Sequence, residues 1–311
     1  MLEIFLGNYY ASSAAIWAHA ALFLNSNFVT ALVGSGFGAY AGAYTVQLLA
    51  ERASIVKDLT LELRNTNAAL TLAVMCANSA MSLRSQFSKE LLDEYLLVKE
   101  DIKQLRNFKL IDPDTLYFSM NLGRFPKITF PIERLQEVIQ SRLSAAGKEL
   151  SLVGEAETVI AALQNAMDER DKFCEVFSKS DYSEEMKIAI YLGNPTGNGQ
   201  TDTTYGDLVK SIDQYAADLA YFSAALCDEL MVRGQAALRE LIKIRRKNIH
   251  KHQLISVDFS DARKAGLLPS DEEYPHWLER FEKEKPTRYL KIRVSALGVC
   301  NGCDEAGPYV H

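Results

Sequence analysis

Helix breakers are scarce in this chain. Proline occurs 8 times in 311 residues, and the 17 glycines gather in a few places. That is the composition of a helical protein with few loops. A basic excess is missing as well: a net charge of −6 and a pI near 5.5 argue against a general nucleic-acid binder. So is an even cysteine framework. Five cysteines are present, and Cys76, Cys174 and Cys227 sit in helical patterns, as buried reduced thiols of a cytosolic compartment do. With 48% hydrophobic residues the chain still has the means for a real core.

The most informative absence is of charge. From Met1 to Ala50 the only Asp, Glu, Lys or Arg is Glu3, and charge then begins abruptly at Glu51 and Arg52. Phe28 to Ala50 is an uncharged run of 23 residues, long enough to cross a hydrocarbon core of roughly 30 Å as a helix. No Lys or Arg precedes it and no small-residue cleavage site is evident, so it does not read as a removable signal peptide. Arg52, Lys57 and Arg64 follow it closely. By the positive-inside bias this predicts a single-pass protein of the cell (inner) membrane with its body in the cytoplasm.

Inside that run lies LVGSGFGAYAGAY, Leu32 to Tyr44, which has two readings. Gly34-Ser35-Gly36-Phe37-Gly38-Ala39 fits the G-x-G-x-x-G/A fingerprint, in which glycines bring a strand–turn–helix backbone close to a dinucleotide pyrophosphate. A second strand ending in a ribose-binding acid should then follow about 20 residues on. That strand is missing. The chain instead runs on at helical spacing through Leu59, Leu63, Leu70, Val74, Ala77 and Met81, and no strand–helix alternation follows. A soluble dinucleotide-binding enzyme is the weaker alternative. In the other reading Gly34, Gly38 and Gly42 line one edge of a helix, with Ala31, Ser35, Ala39 and Ala43 as a second small stripe beside it. Membrane helices approach closely on such a flat face, held by dispersion and Cα–H···O contacts. The partners it predicts are the lipid bilayer and further copies of the same chain. A lone span that merely tolerates glycine is the plainer reading.

Residues 1–27 are nearly uncharged too. Asn8, Ser12, His19 and Ser26 fall near one helical stripe, and Tyr9, Tyr10 and Trp17 favour an interface. An interfacial helix is expected here. The alternative is a second span that turns tightly through Asn25-Ser26-Asn27.

Residues 51–253 predict a cytoplasmic helical bundle. The span (28–50) continues into a helix reaching about Asn107, with a kink expected near Asn65, Asn67 or Asn78. LIDPDTLYFSMNLGRFPKITFP then breaks the pattern and has room for two short strands, Leu116–Ser119 and Lys127–Phe130. A second helix starts near Ile132, with a coiled-coil-like seam through Leu135, Ile139, Leu143, Ala146, Leu150, Val153, Ala156, Ile160, Leu163, Met167, Cys174 and Phe177. After the loop YLGNPTGNGQTDTTYGD a third helix runs from about Thr203 to His250. Three such helices should pack as an elongated antiparallel bundle. That path brings the loop Gly193–Gly199 back to the membrane surface and carries the basic cluster at the third helix end, Arg245, Arg246, Lys247 and Lys251, to the far end.

Little in the body or the tail carries chemistry. The basic cluster suits a helix C-terminus electrostatically, with a phosphate-bearing ligand or nucleic acid as the alternative. Gly193–Gly199 lacks the Lys-Ser/Thr of a P-loop. No inward Glu-x-x-His pair marks a cofactor, and no nucleophilic triad or H-E-x-x-H is present, so no cofactor and no enzyme is expected. Residues 254–311 predict a small α+β module, with short helices and a strand in TRYLKIRVSAL. Cys300-Asn301-Gly302-Cys303 has the spacing of a zinc half-site, but a second pair is lacking; two surface thiols are the plainer reading. Tyr274, Trp277, Phe281 and Tyr289 with mixed charge suit either a docking surface for an unknown cytoplasmic partner or a small self-contained core. The expectation is a membrane-anchored, self-associating, non-enzymatic interaction or signalling scaffold. A membrane-perturbing or pore-forming effector, in a defence or toxin setting, is the alternative.

Overall fold

The structure is a computed structural model that describes residues 27–107, 120–143, 145, 147–197, 199–245 and 253–282. It is mainly helical. The helices are α1 (Asn27–Leu83), α2 (Lys89–Asn107), α3 (Ile132–Glu137), α4 (Lys148–Ser178), α5 (Glu184–Leu192), α6 (Thr204–Arg245), α7 (Ser260–Lys264) and α8 (Pro275–Glu282). Among the described residues the one β feature is an isolated antiparallel bridge, Pro195 to Thr201. The expected strand Lys127–Phe130 is an unpaired segment, and Leu116–Ser119 lies outside the described residues.

Helix α6 is the spine. Along it small residues (Ala216, Ala217, Ala220, Ala224) alternate with large ones (Ile212, Leu219, Phe222, Leu226, Leu230), and all of them are buried. Helices α1 and α4 both pack along it. On α1 the buried stripe begins only at Leu63 and continues through Ala69, Leu70, Ala73, Cys76, Ala77, Ala80 and Leu83. Alternating small and large apolar residues let two helix axes come close while leaving no void, the arrangement that dense cores require.

Side-chain contacts fix the direction of each helix. Thr66 of α1 lies beside Gly234 of α6, Arg84 pairs with Asp213, and Tyr95 of α2 meets Gly206. The α1–α2 rod is therefore antiparallel to α6. Lys148 pairs with Glu229 at 2.6 Å and Arg170 reaches Tyr205 at 3.3 Å, so α4 is antiparallel to α6 as well. Helices α1 and α4 thus run in the same direction, which corrects the expected up–down–up path. The return after α2 is completed by the unpaired segment around Asn121–Pro131 and by α3, whose following turn accepts a hydrogen bond at Arg142 O from Asn65. The expected helix from Ile132 breaks where Leu143 is extended and Gly147 takes a positive φ of 56°. The break resets the seam: Leu150 is 39% exposed, and Leu152 is fully buried instead.

Helix α1 is continuous through Asn65, Asn67 and Asn78, where a kink was expected. Asn67 has another task, since its side chain donates to Gln253 O and accepts from Ile255 N–H. The irregularity sits later, in a π-helical turn at Arg84–Ser88, where one extra residue widens the helix. Ser88 is buried there and donates to Asp213 at 2.9 Å. Arg84 reaches the same carboxylate at 3.3 Å and donates to the carbonyls of Gly266 and Leu267. Residues 253–269 form a strap along the bundle, with Leu254 over Gly234 and with Phe259 and Leu268 buried. The contact division of the chain falls after Pro269, not at Leu254, and the unit beginning at Ser270 contains a one-turn 3-10 segment and α8.

Two predictions follow from the packing. A Cβ on Gly206 would stand 2.1 Å from the Tyr95 hydroxyl oxygen, so Gly206→Ala should cost about 1–3 kcal/mol in urea unfolding. The loss should shrink in a Tyr95→Leu background, because the two changes share one contact. Burial pushes the Cys76 thiol from its usual 9.0 up to about 11 and Cys227 to about 12. Both should resist iodoacetamide at pH 8 in the folded protein and react in urea, since the thiolate is the nucleophile. Because the folded state holds these protons more tightly, their contribution to stability should decline as pH rises from about 9 toward 12.

Candidate functional site

The uncharged run forms the first half of α1. From Ala31 to Ala50 every residue whose side chain is described is exposed except half-buried Leu48. Gly34, Gly36, Gly38 and Gly42 have no neighbouring atom within 4 Å of an added Cβ. Phe37 and Tyr40 are each 73% exposed, and Tyr40 stacks on Tyr44 one turn later. At helical spacing these three rings share one face while Gly34, Gly38 and Gly42 share another, so a ridge and a groove run along the same rod. Ala31, Ser35, Ala39 and Ala43 are likewise exposed beside the groove.

Among the described residues no helix is long and apolar enough to cross a membrane. The run lacks charge, but lack of charge is not apolarity. Four glycines contribute almost no hydrophobic surface, and Ser35, Tyr40, Tyr44, Thr45 and Gln47 each carry polar atoms.

The helix directions reverse two placements. Carried to the end of α6, the antiparallel register puts Arg245 near the level of Ile55, at the base of the uncharged segment. The basic helix end was expected at the opposite pole. Arg246, Lys247 and Lys251 lie outside the described residues, and the chain re-enters at Gln253 beside Asn67, again at this end. The loop Gly193–Gly199 was expected here. It lies at the other pole, with α5, where Gly193 closes the helix at a φ of 66°.

The tail residues are only partly described. Tyr274 and Trp277 are half-buried around the start of α8, whose first turn includes a bond from Trp277 N–H to Tyr274 O at 3.2 Å. Phe281 falls within α8, but its side chain, like Tyr289, Cys300 and Cys303, is outside what is described. Among the described residues no group of His, Cys, Asp and Glu is arranged to hold a metal ion.

The residue that sequence reasoning passed over is Arg170. It occupies a core position of α4 between Ala166 and Cys174 and is 1% exposed. Its guanidinium donates to Gly123 O at 2.7 Å, to Asn121 O at 2.9 Å and to the Tyr205 hydroxyl, and it lies 4.9 Å from the Phe125 ring centre. Asp171 stands 3.8 Å away, too far for a hydrogen bond, and the Arg170 Nε has no partner. Around it Tyr95, Tyr191 and Tyr205 stack edge to face and face to face. Tyr205 donates to Asn121 O at 2.7 Å, and Tyr95 donates to Leu192 O. Burial raises the pKa of all three phenols, and for Tyr191 the hydrogen bond with Tyr205 adds to it. They are neutral packing groups at physiological pH. The one available signal was an arginine on an apolar seam, which is tolerated only where its donors are satisfied.

Two cavities open beside this cluster. One of about 250 Å³ is lined by Gln86, Phe87, Glu90, Leu91, Glu94, Asn121, Gly123, Arg124, Phe125 and Arg170. The other, of about 500 Å³, is lined mainly by Phe173, Val176, Phe177, Tyr182, Ile190 and Leu208. No protein-family model, curated protein or solved structure matches the chain.

Arg170→Met should lower stability by about 2–4 kcal/mol, read by urea unfolding, because it strands the Gly123 and Asn121 carbonyls. Arg170→Lys should not restore it, since an ammonium lacks the planar fork that spans both carbonyls.

Proposed function

We propose that this chain is a membrane-anchored scaffold that assembles with copies of itself through the first half of α1, and that the bundle is its cytoplasmic body. The observation that supports it most is the uncharged helix standing clear of its own core. From Asn27 to about Ile55 it is roughly 40 Å long at 1.5 Å per residue, and the buried stripe begins only at Leu63. Residues 31–50 of it carry no Asp, Glu, Lys or Arg and stay exposed among the described residues, and such a helix needs a surrounding that covers it.

The shortfall in apolarity favours assembly. A lone helix in lipid would have to solvate its exposed glycine backbone and its polar hydroxyls with hydrocarbon. Packed side by side, the aromatic ridge of one copy (Phe37, Tyr40, Tyr44) fits the glycine groove of the next (Gly34, Gly38, Gly42). The ridge and the groove are different faces, so the contact is heterologous and closes as a ring or not at all. Arg52 and Lys57 follow the run on its C-terminal side beside Glu51 and Asp58, so the orientation rests on the count of Lys and Arg alone. The body is then on the cytoplasmic side.

A second reading, a membrane-perturbing effector, draws on the same polarity, since a helix in a pore wall tolerates more polar atoms than a lone span. Dye release from liposomes on addition of the chain separates it from an inert anchor.

Under the scaffold reading the full chain should float with liposomes and remain bound after a high-pH wash. Gly38→Leu should reduce cross-linked oligomers severalfold by prising the helices apart, whereas Leu48→Ile should leave them unchanged. Equal cross-linking of the two variants, or recovery of the chain in the soluble fraction, would overturn the proposal.

A further inference from the structure

We infer that the cavity between α2 and the Asn121–Phe125 segment binds an α-amino acid, a small zwitterion with a carboxylate at one end and an ammonium at the other. The cavity is about 250 Å³, below the size that drug-like ligands fill and suited to a molecule of about ten heavy atoms. Its walls divide by charge. Arg124 and Arg170 supply the positive side, while Glu90 and Glu94, one turn apart on α2, supply the negative side. A simple anion would face both carboxylates and a simple cation would face both guanidinium groups. A zwitterion satisfies both sides at once.

Three further features of the site point to a ligand. The Arg170 charge is nearly fully buried with neutral acceptors for most of its donors and an unpaired Nε, and its one carboxylate neighbour, Asp171, stands 3.8 Å off, so a second anion nearby would further offset its desolvation. The π-turn Arg84–Ser88 supplies two wall residues, Gln86 and Phe87, and π-turns inside long helices recur at functional sites. Phe87 is half-exposed at the cavity edge and meets Phe125 edge to face at 6.4 Å, which leaves an apolar wall for the ligand side chain. Glu94 is already oriented by a hydrogen bond from Asn121 Nδ2 at 3.3 Å. Arg124 reaches Glu175 on the surface at 3.2 Å, an exposed pair that costs little to exchange for a ligand carboxylate.

The test is isothermal titration of the full chain in detergent micelles with each of the twenty common L-amino acids. Acetate and methylammonium serve as single-charge probes. At least one amino acid should bind while both single-charge probes do not. Glu90→Gln and Arg124→Gln, both surface residues outside the core, should each weaken that binding by about tenfold or more. The thermal midpoints of the ligand-free variants should stay at the parent value, which separates lost binding from lost folding. Failure of all twenty amino acids to bind overturns the inference, as does acetate or methylammonium binding equally well. Unchanged affinity in both variants overturns it too. None of these outcomes bears on oligomer formation through α1.

Discussion

The burial of α6 on two sides is the interaction on which the rest of the structure depends. Its alternation of alanines with leucines and aromatics admits α1 along one flank and α4 along the other. Three polar clamps then fix the rotation and register of these helices. Near the base of the uncharged segment Arg233 bridges Glu62 at 2.6 Å and Glu149 at 3.1 Å, joining all three helices at one residue. Midway, Asp213 gathers Ser88, Arg84 and through Arg84 the strap. At the far pole Arg170 and the three tyrosines hold the Asn121–Phe125 segment and α5. Apolar packing supplies most of the stabilisation, and the clamps choose one register among those that apolar stripes alone would accept.

This arrangement explains why the uncharged half of α1 is exposed among the described residues. Helix α6 ends at the level of Ile55, and α4 begins near Glu62, so no described helix of the bundle continues beside residues 31–50. Charge returns where neighbours return. The abrupt change at Glu51 and Arg52, first visible as a composition boundary, coincides with the base of the bundle in the fold.

Helix identity was legible because the three long apolar stripes have an unmistakable period, and α1, α4 and α6 appear where that period is strongest. Direction was not legible. It depended on how the chain returned before α4, with α3 ending at an extended Leu143 and α4 starting after a positive-φ Gly147. The strap was read as part of a separate module because Leu254, Phe259 and Leu268 are too widely spaced to show a period. Arg170 was missed because an arginine on a seam reads as an interruption, although its fork of donors is what lets it replace a leucine there. The uncharged run was read as a span from its missing charge and its length, and glycine and tyrosine lower its hydrophobicity without adding charge.

The central claim is that the faces of residues 31–50 left exposed among the described residues are covered by a bilayer and by further copies. Backbone hydrogen exchange of the full chain, with and without liposomes, tests it most directly. In lipid-free monomeric protein the amides of residues 31–50 should exchange quickly while those of Leu63–Leu83 and Ile212–Leu230 stay protected. With liposomes the 31–50 amides should become protected by several orders of magnitude and the core amides should not change. Equally fast exchange of residues 31–50 in both conditions would contradict the account.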